Sequence, residues 1–155
     1  MVFAALCFVV IGALAGLVFG GLEGHEVVAR RTTGGKKLPH AWLLLARVFV
    51  CLFVAVAIEG CTQLSLIGAG ISFVALAMIH RLELNHVLGK QFFYMGPVER
   101  SGGDSVYDSF MWGVSKWWAF VTRKEHNPQS VFTTAVVLEG TALLLLIAIL
   151  LGQSA

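Results

Sequence analysis

The sequence predicts an all-α integral membrane protein, with four transmembrane helices and an aromatic-rich interfacial segment between spans three and four. Three observations carry this. Of the 155 residues, 57% are hydrophobic and 13% charged, with a mean hydropathy of +0.82. That apolar content lies above the soluble range and the charged content below it. Four long apolar stretches recur, at residues 2–22, 41–58, 64–79 and 130–151. The remaining long segment, 85–123, is too polar to span yet crowded with Trp, Tyr and Phe. A chain of this length makes a single membrane domain and leaves no module large enough to bury a separate soluble core.

The first span, Val2 to Leu22, carries glycine at every fourth position (Gly12, Gly16, Gly20) and ends in Glu23-Gly24-His25-Glu26, which adds Gly24 to the series. Small residues four apart form one helix stripe that lets another helix approach almost to backbone contact, the mode by which helices associate in lipid. The stripe exceeds what internal packing of a four-helix bundle needs, so it predicts a homo-oligomer or contact with other membrane subunits. The small residues of the third span, Gly68, Gly70, Ser72 and Ala75, offer an alternative partner within the same chain. The flank Met1 to Ala5 is uncharged, unlike a secretory leader, and the first helix is expected to be retained.

Residues 48–79 contain Glu59 as their one charge. A single helix of that length, at ~1.5 Å per residue, would overshoot a bilayer. The break is placed at Glu59-Gly60-Cys61-Thr62-Gln63, a polar turn that folds spans two and three into a tight hairpin. The third span, 64–79, is short unless it tilts.

Basic residues cluster in the first loop (Arg30, Arg31, Lys36, Lys37) and after the third span (Arg81, Lys90, Arg100, Lys116, Arg123, Lys124). Both loops are therefore expected to be cytoplasmic and both termini on the outer face. Within the segment 85–123, Asp104 to Thr122 reads as an interfacial helix capped by Asp104 or Ser105, its aromatic face toward lipid.

Ionisable residues in the apolar spans carry the functional signal. Glu139 sits near the middle of the last span, where a charge costs about 2.5–3.5 kcal/mol on insertion scales. It must be protonated, paired or facing a wet interior. Arg47 lies inside the second span, positioned to pair with Glu139 or Glu83 or to extend toward the membrane surface. Glu59 belongs either to the same pathway or to the hydrated turn. Together these three make a candidate ion pathway or buried pair.

A second constellation lies at the cytoplasmic rim. His80, Glu83 and His86 fall three apart on a continuation of the third helix, Glu23, His25 and Glu26 end the first, and His40 opens the second. Imidazole and carboxylate ligands suit Zn, Fe or Mn, and Glu83-x-x-His86 has the i, i+3 spacing of di-iron bundles, in one copy where such bundles use two. The alternative is a hydrated, mutually hydrogen-bonded rim. Cys7, Cys51 and Cys61 are odd in number and lack CxxC spacing, which points to no disulfide framework or thiolate zinc site, though a Cys7–Cys61 bridge stays open. No nucleophile elbow, Walker loop or dinucleotide fingerprint occurs. A net charge of +2 implies no nucleic-acid partner.

The glycine-striped first helix ending in Ala29-Arg30, together with a last helix reading Val137-Leu138-Glu139-Gly140 before an aliphatic run, resembles the proteolipid ring subunits of rotary ATPases. That resemblance implies ion translocation through an intramembrane carboxylate and singles out Glu139. The stripe here repeats every four residues instead of two, and residues 85–123 are aromatic and polar where a duplicated ring subunit carries a second glycine-rich helix.

Three functions are consistent with these residues. The leading expectation is a non-enzymatic subunit of a membrane protein assembly, packing through the glycine-striped first helix. The alternatives are an ion- or proton-translocating element using Glu139, and a metal-dependent membrane enzyme with the His/Glu rim as its site.

Overall fold

The structure, a computed structural model, describes residues 1–34, 40–90, 106–123 and 127–153, with backbone alone at 40, 41, 106–112, 128 and 129. These residues form five helices and, among the described residues, no strand: α1 (Val2–Thr33), α2 (His40–Glu59), α3 (Gln63–Val87), α4 (Val106–Thr122) and α5 (Pro128–Gly152). Helices α1, α2, α3 and α5 are long and apolar enough to cross a membrane. The chain is an all-α integral membrane protein. The expected cap of α4 at Asp104 or Ser105 lies outside the described residues.

The helix ends follow from local chemistry. Gly34, at φ 69°, takes the left-handed conformation that stops α1, and its N–H donates to the Arg30 carbonyl at 2.9 Å. The expected break between spans two and three is present. Gly60, also at φ 69°, ends α2, and its N–H donates to the Val56 carbonyl at 2.8 Å. Thr62 then opens α3 in the extended conformation. At the start of α5, the Asn127 side chain accepts from the Ser130 N–H at 2.8 Å and the Ser130 hydroxyl accepts from the Asn127 N–H at 3.0 Å. Pro128 follows at the first helical position, where its missing N–H costs nothing.

Both helices run beyond their apolar spans: α1 continues past Leu22 to Thr33, further than expected, and α3 continues past Ile79 to Val87, as expected from the placing of His80, Glu83 and His86 on one helix. Polar residues beyond the apolar runs end neither helix, because the same helical faces stay packed. Gly24 lies against Val87, and Asn85 is buried.

Helix α3 is the hub. It packs against α1 most extensively and also against α2 and α5, whereas the backbones of α2 and α5 do not approach each other closely among the described residues. No residue of α3 from Ile67 to Asn85 is exposed.

The glycine stripe explains the α1–α3 contact. A Cβ at Gly12 would stand 2.2 Å from the Ser72 carbonyl oxygen, at Gly16 2.7 Å from that of Leu76, at Gly20 2.7 Å from that of His80, and at Gly24 2.7 Å from the Val87 Cβ. These distances leave no room for a side chain. The close approach admits a hydrogen bond between helices, Ser72 Oγ donating to the Phe8 carbonyl at 3.0 Å. Phe8 in turn lies on Gly68, where a Cβ would come within 2.5 Å of its ring. The stripe is thus filled inside the protomer by α3, the alternative the small residues of the third span had offered. Packing within one chain uses the whole stripe, from Gly12 to Gly24.

The apolar core sits at the end of the bundle where α1 begins and α5 ends, built from Ala5, Phe8, Ala55, Ala69, Ile71 and Leu150. A smaller one, Val131 and Ala135 with Phe132, lies near the start of α5. Large apolar side chains such as Phe3, Phe49, Phe53 and Leu144 point outward from the spans, as a lipid-facing surface requires.

Candidate functional site

Away from the apolar core, α3 presents two successive polar residues to different neighbours. His80 faces α1 and α2, where it meets Glu23 and Arg47. Arg81, one residue on and about 100° further around the helix, meets Glu139 of α5. Adjacent positions on one central helix thereby reach all three other spans.

In the first group, Arg47 Nη2 donates to Glu23 Oε2, and His80 Nε2 lies 2.8 Å from Arg47 Nη2 and 2.9 Å from Glu23 Oε2. All three side chains are largely buried. The guanidinium also sits 5.8 Å from the Phe19 ring centroid, within cation–π range. Arg47 Nε is buried with no hydrogen-bond partner among the described residues. His80 Nε2 has conflicting demands. Arginine only donates and an ionised carboxylate only accepts, so a protonated Nε2 serves Glu23 and an unprotonated one serves Arg47. One proton position satisfies one contact at a time.

The second group is a two-pronged ion pair. Arg81 Nη2 donates to Glu139 Oε1 at 2.6 Å and Nη1 to Oε2 at 3.4 Å, with Glu139 only 7% exposed. The planar guanidinium matches the carboxylate along two parallel bonds, which fixes orientation as well as charge. Each group places one carboxylate against one guanidinium. The formal charges of Glu23, Arg47, Arg81 and Glu139 cancel.

The sequence-based pairings are revised here. Arg47 pairs with Glu23 and not with Glu139 or Glu83, because the glycine stripe draws α1 against α3 and carries Glu23 to the level of Arg47. Glu139 is paired, as its depth requires, but by Arg81. Sequence reasoning missed that partner by ending the third span at Ile79. The available signal was a guanidinium two residues beyond an apolar run, long enough to fold back along the helix toward a carboxylate at mid-span. Glu59 is half-buried at the Gly60 turn and forms no ion pair with either group among the described residues.

The expected metal rim is not assembled among the described residues. No group of three or more His, Cys, Asp or Glu is placed to hold a metal ion there. His25 and His86 are exposed, and Glu26 is tied to Arg30 at 3.0 Å one turn along α1. Glu83 lies against Gly20 and Gly21, where its side chain covers the bare backbone. The side chain of His40 lies outside the described residues. Cys7, Cys51 and Cys61 are free thiols.

Compared with known proteins, the chain matches no family model, no curated protein and no solved structure.

Proposed function

We propose that the chain is a non-enzymatic subunit of a membrane protein assembly, in which the buried charges fix helix register. The observation that supports this best is the pairing itself, since Glu23–Arg47 and Arg81–Glu139 link all four spans with opposite charges matched. Buried polar groups of this kind specify one arrangement of helices over its neighbours, because a shift of one turn leaves charges unpaired in lipid. With the glycine stripe occupied by α3, the surfaces that remain for partner subunits or further copies are the outer faces of α1, α2 and α5. The basic residues of the first loop and of the segment after α3 orient those faces with both loops cytoplasmic and both termini outside.

Native mass spectrometry of the protein extracted with its lipids tests this reading. A species heavier than the 16.7 kDa chain is expected, and a lone chain at every concentration refutes the assembly. Exchanging the charges, Arg81→Glu with Glu139→Arg, distinguishes roles. A register device tolerates the exchange, whereas an ion-carrying carboxylate is lost from its position.

A second reading, an ion- or proton-translocating element, is favoured by one observation: the Glu23–Arg47–His80 group stands directly beside the Arg81–Glu139 pair on consecutive residues of α3. It requires that Arg81→Gln with Glu139→Gln, which leaves neither charge without its partner, abolish flux in proteoliposomes while leaving the fold intact. Equal flux in that variant removes it.

A further inference from the structure

Helix α4 has three distinct faces. Ser115 and Ala119 are buried on the side toward α5, the one helix that α4 touches among the described residues. The contact falls at the first turn of α5, with Ser115 Oγ 3.4 Å from Ser130 Oγ. Trp117, Phe120 and Val121 project from the far side, Phe120 with 83% of its surface exposed, and Trp118 stands at the margin of that arc. Lys116, exposed, falls on a flank between the buried stripe and the aromatic arc, and Arg123, also exposed, follows directly on the last residue of the helix.

We propose that this face binds an anionic phospholipid surface, with Trp117 and Phe120 at the level of the upper acyl chains and Lys116 and Arg123 against lipid phosphates. Three features select lipid over a second copy of the chain. Over its described residues α4 is not among the helices long and apolar enough to cross a membrane, and it packs on α5 where that helix enters its apolar run, which sets it at the membrane boundary. Val136 and Val137 of α5, a turn or two beyond the contact with α4, are exposed apolar residues as well. The cationic flank complements headgroup phosphate, and indole rings prefer the headgroup level. A self-association face would instead bring Lys116 and Arg123 against their own copies. In this arrangement α4 sets how deeply α5, and with it Glu139, sits in the bilayer.

The test uses the full chain in nanodiscs of phosphatidylcholine, with and without phosphatidylglycerol. A variant with Trp42, Trp112 and Trp118 replaced by Phe leaves Trp117 as the reporter. Its emission is expected to be quenched by lipids brominated near the top of the acyl chain more than by lipids brominated near its end. Native mass spectrometry of the otherwise unaltered chain gives a readout that does not depend on the tryptophan replacements. Lys116→Gln with Arg123→Gln is expected to lower retention of phosphatidylglycerol relative to phosphatidylcholine on the order of ten-fold or more, with unchanged helical circular dichroism. Quenching of Trp117 by aqueous iodide in place of brominated lipid overturns the proposal. So does protection that appears only as protein-to-lipid ratio rises, the sign of a second copy, or equal phosphatidylglycerol retention in the double variant.

Discussion

Arg81 grips Glu139 with both terminal guanidinium nitrogens, at 2.6 and 3.4 Å, joining the central helix of the bundle to its last. The two side chains are 12% and 8% exposed, so neither charge has water to fall back on. Removing one partner strands the other in a low-dielectric interior. Arg81→Gln is expected to destabilise the fold by about 3–5 kcal/mol. Replacing both, Arg81→Met with Glu139→Leu, is expected to be neutral or stabilising by about 1–4 kcal/mol, since no charge then remains buried. Reversible unfolding in mixed micelles measures both.

The Glu23–Arg47–His80 group predicts an asymmetry. Glu23→Gln leaves the Arg47 guanidinium with no opposing charge, whereas His80→Gln removes a contact and leaves the ion pair whole. The first is expected to cost at least about 3 kcal/mol and the second about 1 kcal/mol, the scale of a neutral hydrogen bond. Equal losses in the same unfolding assay contradict the pairing described here.

The glycines divide into filled and open positions. A Cβ at Gly12 would meet the Ser72 backbone at 2.2 Å, while at Gly140 nothing lies within 4 Å. Gly12→Ala is expected to force α1 off α3 and break the Ser72–Phe8 hydrogen bond, losing more than about 2 kcal/mol by the scale of overpacked cores. Gly140→Ala, on an open helix position, is expected to stabilise by about 0.5–1 kcal/mol. Because the stripe is filled within the protomer, Gly12→Ala leaves the oligomeric state unchanged. Unfolding and native mass spectrometry on the two variants check both statements.

At the hairpin, Gly60 combines a left-handed backbone with an N–H that closes the last turn of α2. Gly60→Ala is expected to cost about 1–2 kcal/mol through the left-handed conformation alone. Gly60→Pro loses the hydrogen bond as well, cannot take a positive φ, and should prevent the hairpin from forming. Thermal unfolding ranks the variants as glycine, alanine, proline in falling order.

The membrane class, the four spans and the Gly60 turn were legible in the chain because each depends on local composition. Apolar length fixes how many times the chain can cross, and glycine between two apolar runs permits a reversal that few other residues allow. The requirement that Glu139 be paired was legible too, since the energy of a charge in hydrocarbon does not depend on which residue answers it.

Tertiary structure decided the partners. Whether Gly12, Gly16, Gly20 and Gly24 receive another chain or a helix of the same chain is a competition between surfaces, and Ser72, Leu76, His80 and Val87 lie in register along α3 to fill them. Once α1 is seated, Glu23 lies level with Arg47, and consecutive residues of α3 turn His80 and Arg81, about 100° apart, toward different neighbours of the hub. No spacing within one segment encodes this, because it arises from the relative height and rotation of three helices. Left to itself, the sequence determined that the buried charges need partners, and the packing of α1 on α3 determined which ones they have.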